Sequence, residues 1–244
     1  MIRTILVLFA AVFFLIITLP VLLIEWVIGK ISPSAKDRSC LKMVQWVFKL
    51  LLFLAGTKVT LKGTENLPKD RSVLYVGNHK SYFDIIINYA YMPGLTGFIS
   101  KKEMFKVPSL RLWMLNVKCL FLDRDDLKQS LKIILTAIDY VKSGISIFIF
   151  PEGTRTKYDE EFLPFKAGSF KIATKSECDI IPVAIVNSAS VFERQFPKIR
   201  KAHVIVEYGE PIVTKELDKN QLKNVHELAQ SRVQEMYNKN IELI

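Results

Sequence analysis

The 244-residue sequence predicts an α/β fold, a mostly parallel or mixed central sheet flanked by helices, preceded by a two-helix segment that meets lipid. Three observations predict it. Beyond Gly56, short β-rich runs alternate with amphipathic helical stretches, the pattern of a layered α/β domain. Across residues 126–143, Leu127, Leu131, Ile134, Ile138 and Val141 recur at steps of four and three, which marks a helix face turned to a core. Ahead of both, residues 4–24 run without a charge.

That uncharged stretch would be roughly 31 Å long as one helix, close to the hydrocarbon thickness of a bilayer. It exceeds the apolar run of a usual signal peptide, and no small-x-small cleavage site follows in Val21-Leu22-Leu23-Ile24-Glu25-Trp26. A second apolar segment, residues 43–56, is shorter and interrupted by Gln45 and Lys49. Either the first helix spans and the second is amphipathic, or both dip into one leaflet as a hairpin. Pro20, placed to kink the first helix, favours the one-sided hairpin. Residues 1–56 are thus expected to bind membrane, and residues 57–244 to form one continuous α/β domain. Its candidate strands are residues 58–61, 72–76, 97–100, 117–122, 145–150, 180–186 and 204–208. Gly144 is placed to end the helix at 126–143, and a second helix over 220–239 closes the chain.

A net charge of +10 fits nucleic acid or an anionic membrane surface. Residues 1–56 carry Arg3, Lys30, Lys36, Arg38, Lys42 and Lys49 against Glu25 and Asp37, so a local excess of +4 sits beside the apolar segment and +6 is left for the rest. This favours anionic headgroups, at about 1 kcal/mol per basic residue near such a surface, and no nucleic acid is expected. Cys40, Cys119 and Cys178 are odd in number and widely spaced, which predicts a reducing compartment and neither a disulfide framework nor a zinc site. His79, His203 and His226 lie far apart, so metal-free, cofactor-free chemistry is expected.

The chemistry concentrates in Asn78-His79-Lys80-Ser81-Tyr82-Phe83-Asp84, directly after an apolar run. Five residues advance about 500° along a helix, so His79 and Asp84 cannot share a helix face. A strand ending near Gly77, a tight loop carrying His79 and a helix with Asp84 in its first turn would bring them together. A carboxylate there accepts the Nδ1 proton and leaves Nε2 free to take one from a hydroxyl. A bare His-x4-Asp is more often a capped surface histidine, so its weight depends on what else the chain supplies. Phe121-Leu122-Asp123-Arg124 and Phe150-Pro151-Glu152-Gly153-Thr154-Arg155 each put a guanidinium just beyond a strand candidate. Two arginines leaving neighbouring strands could converge on one phosphate. The bland alternatives are an Arg124 paired with Asp123, Asp125 or Asp126, a Glu152 that only caps a turn, and an Arg155 solvated beside the polar residues 156–161. The apolar Ile181-Pro182-Val183-Ala184-Ile185-Val186 is a buried strand.

In this order, NHKSYFD, FLDR, FPEGTR and IPVAIV, spanning residues 78–186, resemble the four motifs of the glycerolipid acyltransferases, especially the 1-acylglycerol-3-phosphate acyltransferases. Residues 100–108 resemble that family's basic segment between the first two motifs, and residues 163–168 its segment after the third. The second motif has Leu122 where many members have Ile. The resemblance implies His79 as general base and Asp84 as its orienting partner. It implies Phe121, Arg124, Glu152, Gly153 and Arg155, with the Thr154 hydroxyl between them, as acceptor-binding residues; Lys101 is added, although Lys102 could fill the same role. The implied reaction passes an acyl group from a thioester of acyl-carrier protein or coenzyme A to the sn-2 hydroxyl of lysophosphatidate, at the cytoplasmic face of a cell inner membrane. No acyl-enzyme is required, consistent with the absence of a G-x-S-x-G elbow. Main-chain N–H groups after His79 are candidates to hold the oxyanion. The competing expectations are a glycerol-3-phosphate acyltransferase, a phospholipid transacylase, or a non-catalytic membrane lipid carrier.

Overall fold

A computed structural model describes residues 1–156 and 162–244; most of the polar stretch after Arg155 thus lies outside the described residues. The strands β1 (Thr57–Lys62), β2 (Leu74–Gly77), β3 (Thr96–Lys101), β4 (Leu120–Leu122), β5 (Ser146–Ile149), β6 (Ile180–Val186) and β7 (Ala202–Tyr208) form one sheet in the order β1-β7-β6-β2-β5-β3-β4. Strands β6, β2, β5, β3 and β4 are parallel, β7 is antiparallel to β6, and β1 is parallel to β7. The sheet is therefore mixed. Strand β6 is buried along its whole length, as an unbroken apolar run must be when both faces are covered. Its alternation sends Ile181, Val183 and Ile185 to one core and Ile180, Ala184 and Val186 to the other.

Helices α3 (Pro33–Ala55), α4 (Phe83–Tyr91) and α5 (Pro108–Asn116) close the first core with Val47, Ile87 and Trp113. Helices α6 (Leu127–Lys142), α7 (Lys171–Ser176) and α9 (Val225–Ile241) close the second with Val141, Ile172 and Val233. A short α8 (Lys219–Lys223) precedes α9, so the expected closing helix is broken at Asn224. The helix expected at 126–143 is α6, capped by Asp126, whose side chain accepts from the N–H groups of Lys128 and Gln129. Only part of its predicted face is core. Ile138 and Val141 are buried, whereas Leu127 and Leu131 are 85% and 56% exposed. The edge strand beneath them, β4, is too short to cover. The strand expected at 117–122 is curtailed because Val117 finishes α5 and Lys118 turns the chain at φ 62°.

The N-terminal segment departs from the two-helix expectation. Residues 4–24 are not one helix: α1 (Ile2–Ile17) and α2 (Leu19–Ile31) meet at Thr18 with a bend of 50°. Pro20 brings no N–H to the junction, and the Thr18 hydroxyl donates back to the Phe14 carbonyl at 2.6 Å. The next helix, α3, is longer than its apolar part, because Pro33 opens it and the Ser32 hydroxyl accepts from the Ala35 N–H. It ends at Gly56, in the left-handed region with φ 70°. No single helix among the described residues is long and apolar enough to cross a membrane; α1 and α2 qualify only together, as a bent pair. Ile5, Phe9, Phe13, Ile16, Leu23 and Trp26 are exposed on this pair, while Val7, Phe14 and Leu22 pack inward.

Candidate active site

Strands β2, β5, β3 and β4 are parallel neighbours in that order, so the loops at their carboxyl ends open on one edge of the sheet. These loops carry His79, residues 152–155 and Arg124, and Lys101 is the last residue of β3. At the end of β2, Asn78 is wholly buried and bridges to β6, donating to the Ile185 carbonyl at 2.9 Å and accepting from its N–H at 2.8 Å. That double bond anchors the loop before it turns.

His79 Nδ1 lies 2.9 Å from Asp84 Oδ2, with Asp84 in the first turn of α4 and fully buried. The N–H groups of Lys80 and Ser81 donate to the same oxygen, each at 2.7 Å. An oxygen collecting two amide protons is an acceptor, so Nδ1 carries the proton of the third contact and Nε2 is left as a base. Asp84 Oδ1 has no partner among the described residues, so all three donors fall on one oxygen. The Phe150 ring stacks on the imidazole with centroids 4.1 Å apart and 15° between planes, fixing the ring from its face. The Lys80 ammonium lies over the rings of Phe162 and Tyr237, at 5.1 and 4.8 Å.

The loop after β5 holds the His79 loop in place. Glu152 is 3% exposed; its Oε1 accepts the His79 N–H at 2.9 Å and its Oε2 the Thr156 hydroxyl. Thr156 N–H in turn donates to the His79 carbonyl at 2.9 Å. Burial pushes the Glu152 carboxyl above its usual range, opposed by the two bonds it accepts. Gly153 turns the chain at φ 76°, and a Cβ there would come within 2.8 Å of Lys166 Nζ. Arg155 stacks on Tyr82, its guanidinium carbon 3.7 Å from the ring centroid, and Nη1 donates to Glu193 Oε1 at 3.0 Å. The Tyr82 N–H (2.8 Å) and the Ser81 hydroxyl (2.6 Å) donate to the same carboxylate.

Among the residues expected from sequence, His79, Asp84, Glu152 and Arg155 thus form one bonded unit. Glu152 sits beneath the loop as its support, its carboxylate turned to His79 and Thr156 rather than to an open acceptor site. Thr154 is exposed. Arg124 is exposed and has no ion pair among the described residues; Asp123 is taken by Lys102 at 2.6 Å and Asp126 by the cap of α6. Lys101 pairs with Glu103 at 3.3 Å, and Phe121 packs edge-on against Phe105 at 5.1 Å. The two arginines do not leave neighbouring strands. Strand β3 separates β4 from β5, which puts the strand ends roughly 10 Å apart, and Arg155 is drawn toward β6 and away from Arg124. The expectation for the oxyanion also fails as stated: the amides of residues 80–83 are spent on Asp84, Glu193 and the Ser81 hydroxyl. The amides of Thr154 and Arg155 make no hydrogen bond among the described residues. Phe150, Thr156 and Glu193 were not singled out from sequence. The first two adjoin the Glu-Gly-Thr-Arg run, whereas Glu193 lies 38 residues from Arg155 and nothing local marks it.

The family described as Acyltransferase matches residues 58–186. The chain is 34% identical over 167 residues to the 1-acyl-sn-glycerol-3-phosphate acyltransferase of Helicobacter pylori, covering 64% of this chain and 70% of that one. It is 31% identical over 151 residues to the protein of the same description from Borreliella burgdorferi, covering 62% of this chain and 60% of that one. The match thus spans less than two thirds of the Borreliella relative. The crystal structure of the 1-acyl-sn-glycerophosphate acyltransferase from Thermotoga maritima superposes with a TM-score of 0.81 at 24% identity, covering 96% of this chain and 94% of that one, which shows a shared fold.

Proposed function

The chain belongs to the acyltransferase family, and on that premise we propose that it transfers an acyl group from a thioester to the sn-2 hydroxyl of 1-acylglycerol-3-phosphate, giving phosphatidate. One observation carries this most: a histidine with its Nδ1 locked on a buried carboxylate, and no hydroxyl among the described residues hydrogen-bonded to its Nε2. Ser81 and Thr156 donate their hydroxyls to Glu193 and Glu152, so neither serves as a nucleophile. The acceptor brings the hydroxyl instead. His79 Nε2 takes its proton as the oxygen attacks the thioester carbon, and the imidazolium protonates the thiolate as the C–S bond breaks. The idle amides of Thr154 and Arg155 are the candidate donors to the oxyanion. Arg155, with Arg124 and Lys101 further along the edge, supplies positive charge for the acceptor's phosphate. Relatives named as 1-acyl-sn-glycerol-3-phosphate acyltransferases support the choice of acceptor.

The exposed apolar side chains of α1 and α2, with basic residues nearby, support a one-leaflet seat on an anionic cytoplasmic membrane face. From there the site can take acceptor from the bilayer and a carrier-protein or coenzyme A thioester from solution. The experiment is thiol release and product formation by the purified chain, with both donors, on vesicles containing lysophosphatidate, glycerol 3-phosphate or a lysophospholipid without a phosphate monoester. Lysophosphatidate should dominate. Turnover with glycerol 3-phosphate alone would reassign the acceptor, and an absence of thiol release with every pair would leave a lipid-binding protein.

A further inference from the structure

We propose that Glu193, which lies outside every motif of the sequence, is a positioning residue that sets selectivity for a phosphate-monoester acceptor. The inference rests on the acyl-acceptor role of the site given above. The Glu193 carboxylate is divided between two tasks. It accepts the Ser81 hydroxyl at 2.6 Å and the Tyr82 N–H at 2.8 Å, holding the turn that opens α4, and it accepts Arg155 Nη1 at 3.0 Å. Asp84 grips the same turn from the other side through the N–H groups of Lys80 and Ser81, and also holds His79. Base and guanidinium are therefore fastened to one short turn by two carboxylates.

The consequence is geometric. The guanidinium carbon lies 3.7 Å from the Tyr82 ring centroid and the group is pinned at one corner by Glu193, which together restrict the direction of its remaining N–H groups. Its side chain is one third exposed, at 34%, so without the carboxylate it would range over many rotamers. In a lysophosphatidate the phosphate and the reacting hydroxyl sit on one three-carbon unit. Fixing the guanidinium relative to Nε2 therefore fixes where that hydroxyl falls, an advantage that an acceptor without a phosphate monoester cannot use.

The test compares kcat/KM of the wild-type chain, Glu193→Ala and Glu193→Gln for lysophosphatidate and for 1-monoacylglycerol, with the thermal midpoint recorded for each. Glu193→Ala should lower the ratio of the two specificity constants about tenfold, mainly through KM for lysophosphatidate, with donor KM and the pH profile unchanged. Glu193→Gln can still accept the Tyr82 N–H and so should keep the fold; it should lower the ratio by a smaller factor. An equal loss for both acceptors would mean that Glu193 only supports the fold, and a ratio that rises would mean that it competes with phosphate for Arg155; either overturns the inference. A wild-type chain inactive on lysophosphatidate would instead overturn the acceptor assignment, and the role of Glu193 with it.

Discussion

Around His79 the polar groups of the loop are partnered inside the protein, whereas along β3 and β4 the charged side chains pair with each other at the surface or stand in solvent. The first half of the site joins Asn78, His79, Asp84, Glu152, Arg155 and Glu193 through bonds of 2.6–3.0 Å across β2, β5 and β6. The second half offers Lys101 to Glu103 and Lys102 to Asp123, with the lysine side chains about half exposed, and an exposed Arg124. Solvent screens such surface pairs, so the second half can rearrange around a ligand at small cost. The contrast separates fixed machinery from adaptable contact.

The largest effect expected is on the fixed side. His79→Ala should lower turnover by roughly 10²–10⁴-fold while the thermal midpoint stays native-like. Asp84→Asn tests the carboxylate charge without removing the acceptor. One atom meets the Lys80 and Ser81 amides and Nδ1 alike, so an asparagine oxygen placed there keeps all three contacts, while the negative charge that stabilises the imidazolium is lost. Turnover should fall about as far with a native-like thermal midpoint. Asp84→Ala would add a folding defect, because each buried amide left unpaired costs about 1–3 kcal/mol. Near wild-type rates in Asp84→Asn would show that the partition drawn here is wrong at its centre.

The next effect measures the asymmetry between the two arginines. Arg155→Ala removes a guanidinium held by Glu193 and Tyr82 and should raise the lysophosphatidate KM about tenfold or more, given roughly 1.5–3 kcal/mol for a charge-assisted bond. Arg124→Ala removes an exposed one with no ion pair among the described residues and should cost only a few-fold. Steady-state kinetics over a range of acceptor concentrations decide it. Equal losses would place the two arginines on one phosphate after all.

Much of the fixed half is legible in the chain because its geometry is local. The step from His79 to Asp84, the strand before and the helix after are contiguous residues, and their bond follows from that order. The alternation along β6 and the four-three spacing in α6 report burial one element at a time. What could not be read depends on which elements become neighbours. Glu193 reaches Arg155 only because β6 and β5 flank β2, and the arginine of the second motif is distant because β3 intervenes. The same holds for Leu127 and Leu131, apolar at core spacing yet exposed where the edge strand is short; the bend at Thr18, by contrast, falls beside Pro20, which the sequence marks as a kink.

The smallest expected effect concerns the support beneath the fixed half, and it is read in stability rather than rate. Burial raises the Glu152 carboxyl above its usual range, so folding favours its protonated form. A raised folded-state value means that this contribution is fully present below the unfolded carboxyl range and is lost as pH rises through the folded value. In Glu152→Gln the oxygen can accept the His79 N–H and the amide can donate to the Thr156 hydroxyl, so both contacts survive without a titrating charge. The wild-type thermal midpoint should therefore fall relative to that of Glu152→Gln as pH climbs from the ordinary carboxyl range to just above it. Activity in the variant should drop only a few-fold, since Glu152 holds the His79 loop by an acceptor that glutamine also supplies. Parallel midpoint curves with a severe loss of turnover would move Glu152 from beneath the site into contact with the substrate, and the boundary between machinery and contact would have to be redrawn.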